Sequence, residues 1–73
     1  RLGSYVTLTG HVVNHQRSDY FTFRDETGEI RVEIGSNVWN GRKVGPNDKV
    51  RLLGEVDRGP AGRYVWVKSP EVL

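Results

Sequence analysis

The run Tyr20-Phe21-Thr22-Phe23-Arg24-Asp25-Glu26-Thr27-Gly28-Glu29-Ile30-Arg31-Val32-Glu33-Ile34 alternates apolar and polar residues on both sides of a turn. Successive side chains of a strand point to opposite sides. Phe21 and Phe23 therefore share one face with Ile30, Val32 and Ile34, while Thr22, Arg24, Arg31 and Glu33 share the other. Asp25 to Gly28 supplies the turn, because Asp bonds its own backbone two residues on and Gly accepts positive φ. The segment reads as a β-hairpin with one dry face and one wet, charged face.

Outward from the hairpin the same two-residue period recurs. Residues 5–14 place Val6, Leu8, Gly10 and Val12 on one side, with a mid-strand glycine where a sharp bend or bulge is expected. Residues 15–19 read as a polar loop. Residues 35–48 are broken by Gly35, Gly41, Gly45 and Pro46 and cannot form a long helix. Residues 49–57 bring Val50, Leu52, Gly54 and Val56 into phase, again with a mid-strand glycine. Residues 58–62 read as a flexible hairpin loop. Residues 63–68 place Val65 and Val67 inside and Tyr64 and Trp66 outside.

Five short strands bent at Gly10 and Gly54 predict an all-β closed barrel, since closure removes edges that would otherwise template aggregation. The longest connection falls between the third and fourth strands. That fits the five-stranded Greek-key OB-fold, and an SH3-like barrel would not usually place its longest connection there.

A chain of 73 residues is one domain, 1–73, near the lower limit for folding without a staple. Without cysteine it has neither disulfides nor thiolate metal sites, so its stability must come from the core. No apolar run approaches the ~20 residues that span a bilayer. The chain begins at Arg1 without Met and reads as a trimmed mature domain, which leaves the absence of a signal peptide uninformative. Eleven basic and nine acidic residues leave a net charge of only +2, and the charges interleave as Glu29-x-Arg31-x-Glu33. A dedicated nucleic-acid binder usually carries a larger basic excess on one face, so the balance argues against nucleic acid as the partner.

The strings Thr9-Gly10-x-Val12-Val13, Phe23-Arg24-Asp25-x-x-Gly28-x-Ile30-x-Val32, Val38-Trp39-Asn40-Gly41 and Gly54-Glu55-Val56-Asp57 together resemble the bacterial OB-fold (BOF) family over nearly the whole chain. The Asp-x-x-Gly-x-Ile-x-Val part is shared by many OB-folds, whereas Trp39-Asn40-Gly41 is more diagnostic. In the family that element replaces the helix that commonly plugs one end of the barrel. The resemblance implies a periplasmic protein whose signal peptide has been removed, with no enzymatic activity, no catalytic residues and no cofactor. It also implies roles in resisting oxidative, acid, metal or cationic-peptide stress. Some similar members are calcium-induced and affect calcium homeostasis, and one is reported to bind peptidoglycan sugars.

The candidate ligand-binding residues are Tyr20, Thr22, Arg24, Arg31 and Glu33 on the hairpin's wet face, flanked by loops 15–19 and 58–62, with Tyr64 and Trp66 beside them. Tyr64 and Trp66 are expected to be exposed side by side next to Arg63 and Lys68, where similar positions of the family are polar or acidic. An aromatic pair beside cations can hold sugar rings or unstacked bases, and it can equally pack over the terminal segment 70–72. Trp39 is expected to cap the barrel end.

His11 and His15 share a strand face but stand roughly 13 Å apart at ~3.3 Å per residue, too far to share one ion. Asp25, Glu26 and Glu29 match no calcium loop, and a polar turn accounts for them. No nucleophile with a base and oxyanion loop is recognisable. Three functions follow from these features. The first is an envelope protein that binds a small polar or glycan ligand or a protein partner. The second is a single-stranded nucleic-acid module using Tyr20, Arg24, Tyr64 and Trp66. The third is an interaction domain of a larger assembly.

Overall fold

The computed structural model of the chain describes residues 3–41 and 43–73. Its elements run β1 (Tyr5–Arg17), β2 (Tyr20–Asp25), β3 (Gly28–Glu33), α1 (Ser36–Trp39), β4 (Val50–Gly59) and β5 (Gly62–Val72). The strands close into a barrel in the order β1-β2-β3-β5-β4. This is the five-stranded OB topology expected from the alternation, with a one-turn helix in the long connection.

Closure depends on β1 serving two neighbours. Its first half, Tyr5 to Gly10, pairs with β4, and its second half, from His11 onward, pairs with β2. The switch falls at Gly10, where the strand bends so tightly that β2 occupies the space a side chain would need. A Cβ at Gly10 would lie 2.2 Å from the Arg24 carbonyl oxygen and 2.9 Å from the Phe23 ring. Gly54 does the same work on β4, at a break in register opposite Val67.

The β2–β3 register follows from the turn. Asp25 pairs with Gly28, so Phe21 meets Val32, Phe23 meets Ile30, Tyr20 meets Glu33 and Thr22 meets Arg31. Asp25 Oδ1 accepts hydrogen bonds from the Thr27 hydroxyl (2.7 Å) and the Thr27 amide (2.8 Å), and Gly28 takes a φ of 139°. The Thr27 hydroxyl, followed by its amide, holds the Asp25 carboxyl below the usual carboxylate range against a small opposing effect of desolvation. A folded-state pKa below the unfolded one stabilises the fold above the unfolded value, and this contribution is lost as pH falls through the folded value. Thr27→Val is therefore expected to raise the Asp25 pKa toward its ordinary value and shift the acid-sensitive range of the turn upward. Titration of the Asp25 carboxyl carbon by NMR checks this, and an unchanged midpoint would refute it.

The barrel interior holds Val12, Phe23, Val32, Ile34, Val50, Leu52, Val65 and Val67, with Val6, Leu8, Phe21, Ile30, Val38 and Trp39 packed around them. Those on the strands lie on the faces assigned by alternation, and Val38 and Trp39 come from α1. Trp39, at the end of α1, meets Phe21 edge to face at 6.2 Å and closes that part of the core. The helix stops because Asn40 (φ 53°) and Gly41 (φ 77°) turn left-handed.

Several boundaries differ from the expectation. β1 continues through His15 to Arg17, leaving a two-residue turn in place of the loop 15–19, because the His15 ring stacks on Phe21 at 4.6 Å and carries the strand on. The expected flexible loop 58–62 is a two-residue turn at Pro60 and Ala61, closed by the pair Gly59 and Gly62. β5 runs to Val72 instead of residue 68. Its Pro70 stands opposite Leu52 of β4, beyond Tyr64 to Trp66, where β5 pairs with β3.

Candidate ligand-binding cleft

The turns joining β1 to β2 and β4 to β5 approach the same end of the β2–β3 face. Between them lies a cleft of about 290 Å³ lined by Gln16, Arg17, Tyr20, Arg31, Gly59, Pro60, Ala61 and Tyr64. Three of the residues singled out in the sequence, Tyr20, Arg31 and Tyr64, form its centre. The Tyr20 and Tyr64 rings meet edge to face at 5.7 Å and 82°. The Arg31 guanidinium lies 5.2 Å from the Tyr20 ring centroid and 5.9 Å from that of Tyr64. Contacts of this kind contribute about 0.5–1 kcal/mol when exposed and ~2 when desolvated.

Tyr64 is not exposed, contrary to the alternation pattern: only 8% of it reaches solvent. Its side chain does leave the barrel on the outer face, as expected. The parallel pairing of β3 with β5 sets it directly beside Arg31, and the Tyr20 ring covers it. Gly59 makes room for the ring, whose Cε1 would stand 3.3 Å from a Cβ at that position. The Tyr64 hydroxyl donates to Asp57 Oδ2 at 3.1 Å, a partner the sequence reading missed. The signal for it was available, because a two-residue turn at Pro60 and Ala61 puts Asp57 opposite Tyr64.

Arg31 is the electrostatic anomaly of the site. Its Nε is buried without a hydrogen-bond acceptor, which costs about 1–3 kcal/mol for an ordinary buried donor. Among the described residues no carboxylate lies within ion-pair distance of it, whereas Arg24 pairs with Glu29 at 2.7 Å and Arg51 with Glu71 at 3.0 Å.

The other sequence-derived site residues lie outside this cleft. Thr22 accepts a hydrogen bond from Gln16 Nε2 at 2.9 Å, tying the rim of the cleft to β2. Thr22 and Arg24 border a shallower depression with Asn14, Glu29 and Pro46, where the Arg24 guanidinium is engaged by Glu29. Glu33 faces Tyr20 and Trp66 in register. Trp66 is half-buried and carries the Lys68 ammonium 3.0 Å from its ring centroid. The two histidines are separately engaged: His11 Nδ1 donates to the Asp48 carbonyl at 3.0 Å and His15 Nε2 to the Ser18 carbonyl at 2.7 Å.

Similarity to known proteins agrees with this architecture. The chain matches the bacterial OB fold (BOF) protein family over residues 1–72. It is 42% identical to protein YgiW of Escherichia coli over 55 residues, covering 75% of this chain and 42% of YgiW. It is 37% identical to the calcium-regulated OB-fold protein CarO of Pseudomonas aeruginosa over 68 residues, covering 93% of this chain and 59% of CarO. The chain thus spans about half the length of these relatives. The solved structure of YgiW superposes with a TM-score of 0.93 at 36% identity, covering 100% of this chain and 78% of that one. The asparaginyl-tRNA synthetase of Pyrococcus horikoshii contains a similar unit, with a TM-score of 0.77 and 29% identity over 97% of this chain but 20% of the synthetase. With its closed five-stranded barrel, one-turn Trp39 helix and match from end to end, the chain belongs to the bacterial OB fold (BOF) family.

Proposed function

We propose that this protein is a non-enzymatic binding module of the bacterial periplasm that takes a small polar or glycan ligand in the Tyr20–Arg31–Tyr64 cleft and supports envelope stress tolerance. The observation that carries the proposal is the position of the cleft. It lies on the β2–β3 face between the β1–β2 and β4–β5 turns, where OB barrels hold their ligands. Family membership supports the envelope and stress roles, and the calcium regulation of CarO suggests calcium as one inducing signal.

Nucleic acid is the second reading, because OB units also stack bases on aromatic residues and the cleft has two arginines. Glu29 and Glu33 on the same face and the net charge of +2 weigh against it.

Titration with neutral and charged monosaccharides, followed by amide and ring NMR signals, tests the proposal. Saturable shifts are expected around Tyr20, Arg31, Tyr64 and Ala61. Tyr20→Ala should weaken binding by about tenfold through loss of a ring face, while Arg51→Ala, on another part of the barrel, should leave it unchanged. Binding insensitive to Tyr20→Ala would place the site elsewhere. Oligonucleotide affinity that falls steeply with salt would decide for the second reading.

A further inference from the structure

Resting on the assignment of the cleft as the binding site, we infer that it selects for an anion: its ligand is a small molecule carrying one carboxylate or phosphate group, held by Arg31 and Arg17. Four observations converge. The eight residues lining the cleft include two arginines and no aspartate or glutamate. Arg31 has no carboxylate partner among the described residues, although Arg24 and Arg51 on the same barrel each have one. Its Nε is buried and has no acceptor. The guanidinium packs against both the Tyr20 and the Tyr64 ring, which limits its conformations before any ligand arrives.

The chemistry follows from what arginine cannot do. A buried lysine sheds its proton when its charge is not matched, but a guanidinium stays charged at every accessible pH. Two aromatic faces offset part of that charge without supplying an acceptor for the N–H groups. A carboxylate or phosphate supplies both a negative charge and paired acceptors in the fork geometry of the guanidinium.

The carboxylates of Asp57 and Glu33, on strands beside the cleft, are occupied or outside it. Asp57 takes the Tyr64 hydroxyl and the Arg58 amide, and Glu33, two residues along β3, does not line the cleft. The volume of about 290 Å³ lies at the small end of ligand pockets, which start at about 300 Å³, and suits a single sugar acid or phosphate ester.

The test compares glucuronate, inorganic phosphate and neutral glucose by NMR on the intact chain, reading the Arg31 Nε–H signal and the Tyr20 and Tyr64 ring signals. At least one anion is expected to bind about ten- to a hundredfold more tightly than glucose. Arg31→Gln should abolish that preference, and Arg17→Gln should weaken it partially. Should Arg31→Gln fail to fold, the wild-type preference and the Arg17→Gln effect still decide the matter. Glucuronate binding alone identifies a carboxylate ligand, and phosphate binding alone a phosphate ligand. Glucose binding at the cleft as tightly as either anion overturns anion selectivity while leaving the cleft as a site. The absence of cleft shifts with all three overturns both readings. A short oligothymidylate that binds far more tightly than phosphate, with a steep salt dependence, replaces the small anion with a nucleic acid.

Discussion

Gly10→Ala is expected to abolish the cooperative fold, the largest effect of any single methyl group in this chain. The added Cβ would stand 2.2 Å from the Arg24 carbonyl oxygen and 2.9 Å from the Phe23 ring. Overpacking against movable side chains costs about 1–3 kcal/mol, but here the obstacle is backbone. Relief requires β1 and β2 to part where β1 passes from its pairing with β4 to its pairing with β2, and the barrel closes through that strand. The backbone torsion is not the obstacle, since Gly10 does not take positive φ. Gly45→Ala is the matched control: its Cβ would meet only the Asp48 carboxylate at 3.7 Å, and its stability should stay within about 0.5 kcal/mol of the parent. Urea unfolding followed by circular dichroism measures both. A Gly10→Ala protein with a parent-like midpoint would show that the β1 bend is far more yielding than its geometry implies.

Phe23→Ala carries the second-largest expected effect, a loss of about 3–5 kcal/mol. Phe23 is 1% exposed, pairs with Val12 across to β1 and with Ile30 across to β3, and also lies against Gly10. Its ring fills the space that the missing Gly10 side chain leaves, so small neighbours cannot close the resulting cavity. A single core of this size rarely supplies more than about 3–5 kcal/mol in total. The variant should therefore be largely unfolded at room temperature, with lost amide dispersion in a two-dimensional NMR spectrum. A dispersed, folded spectrum with a modest drop in midpoint would contradict this account of the core.

Much of this was legible in the linear chain because strand chemistry is local. The period-two alternation of residues 20–34 and the Asp25–Gly28 turn set the β2–β3 register, which determines that Tyr20, Thr22 and Arg31 share the wet face. The mid-strand glycines announced the two bends, and Trp39-Asn40-Gly41 announced a short element closing the core. Strand ends were less legible. Polarity places His15 in a loop, but its stacking on Phe21 is a tertiary contact that keeps it in β1. Ser69 and Pro70 lie beyond the alternation of residues 63–68, yet they continue β5 opposite Leu53 and Leu52 of β4.

Alternation by itself determined which side chains leave the barrel and which enter it, since that depends only on the pleat. The tertiary structure decided what happens to those that leave. Parallel contact between β3 and β5 joins residues more than thirty positions apart, Arg31 with Tyr64, and no local pattern encodes it. That contact buries Tyr64 on the outer face, sets Arg31 against the Tyr20 and Tyr64 rings with no carboxylate partner among the described residues, and so turns an ordinary charged surface into a cleft with a positive charge.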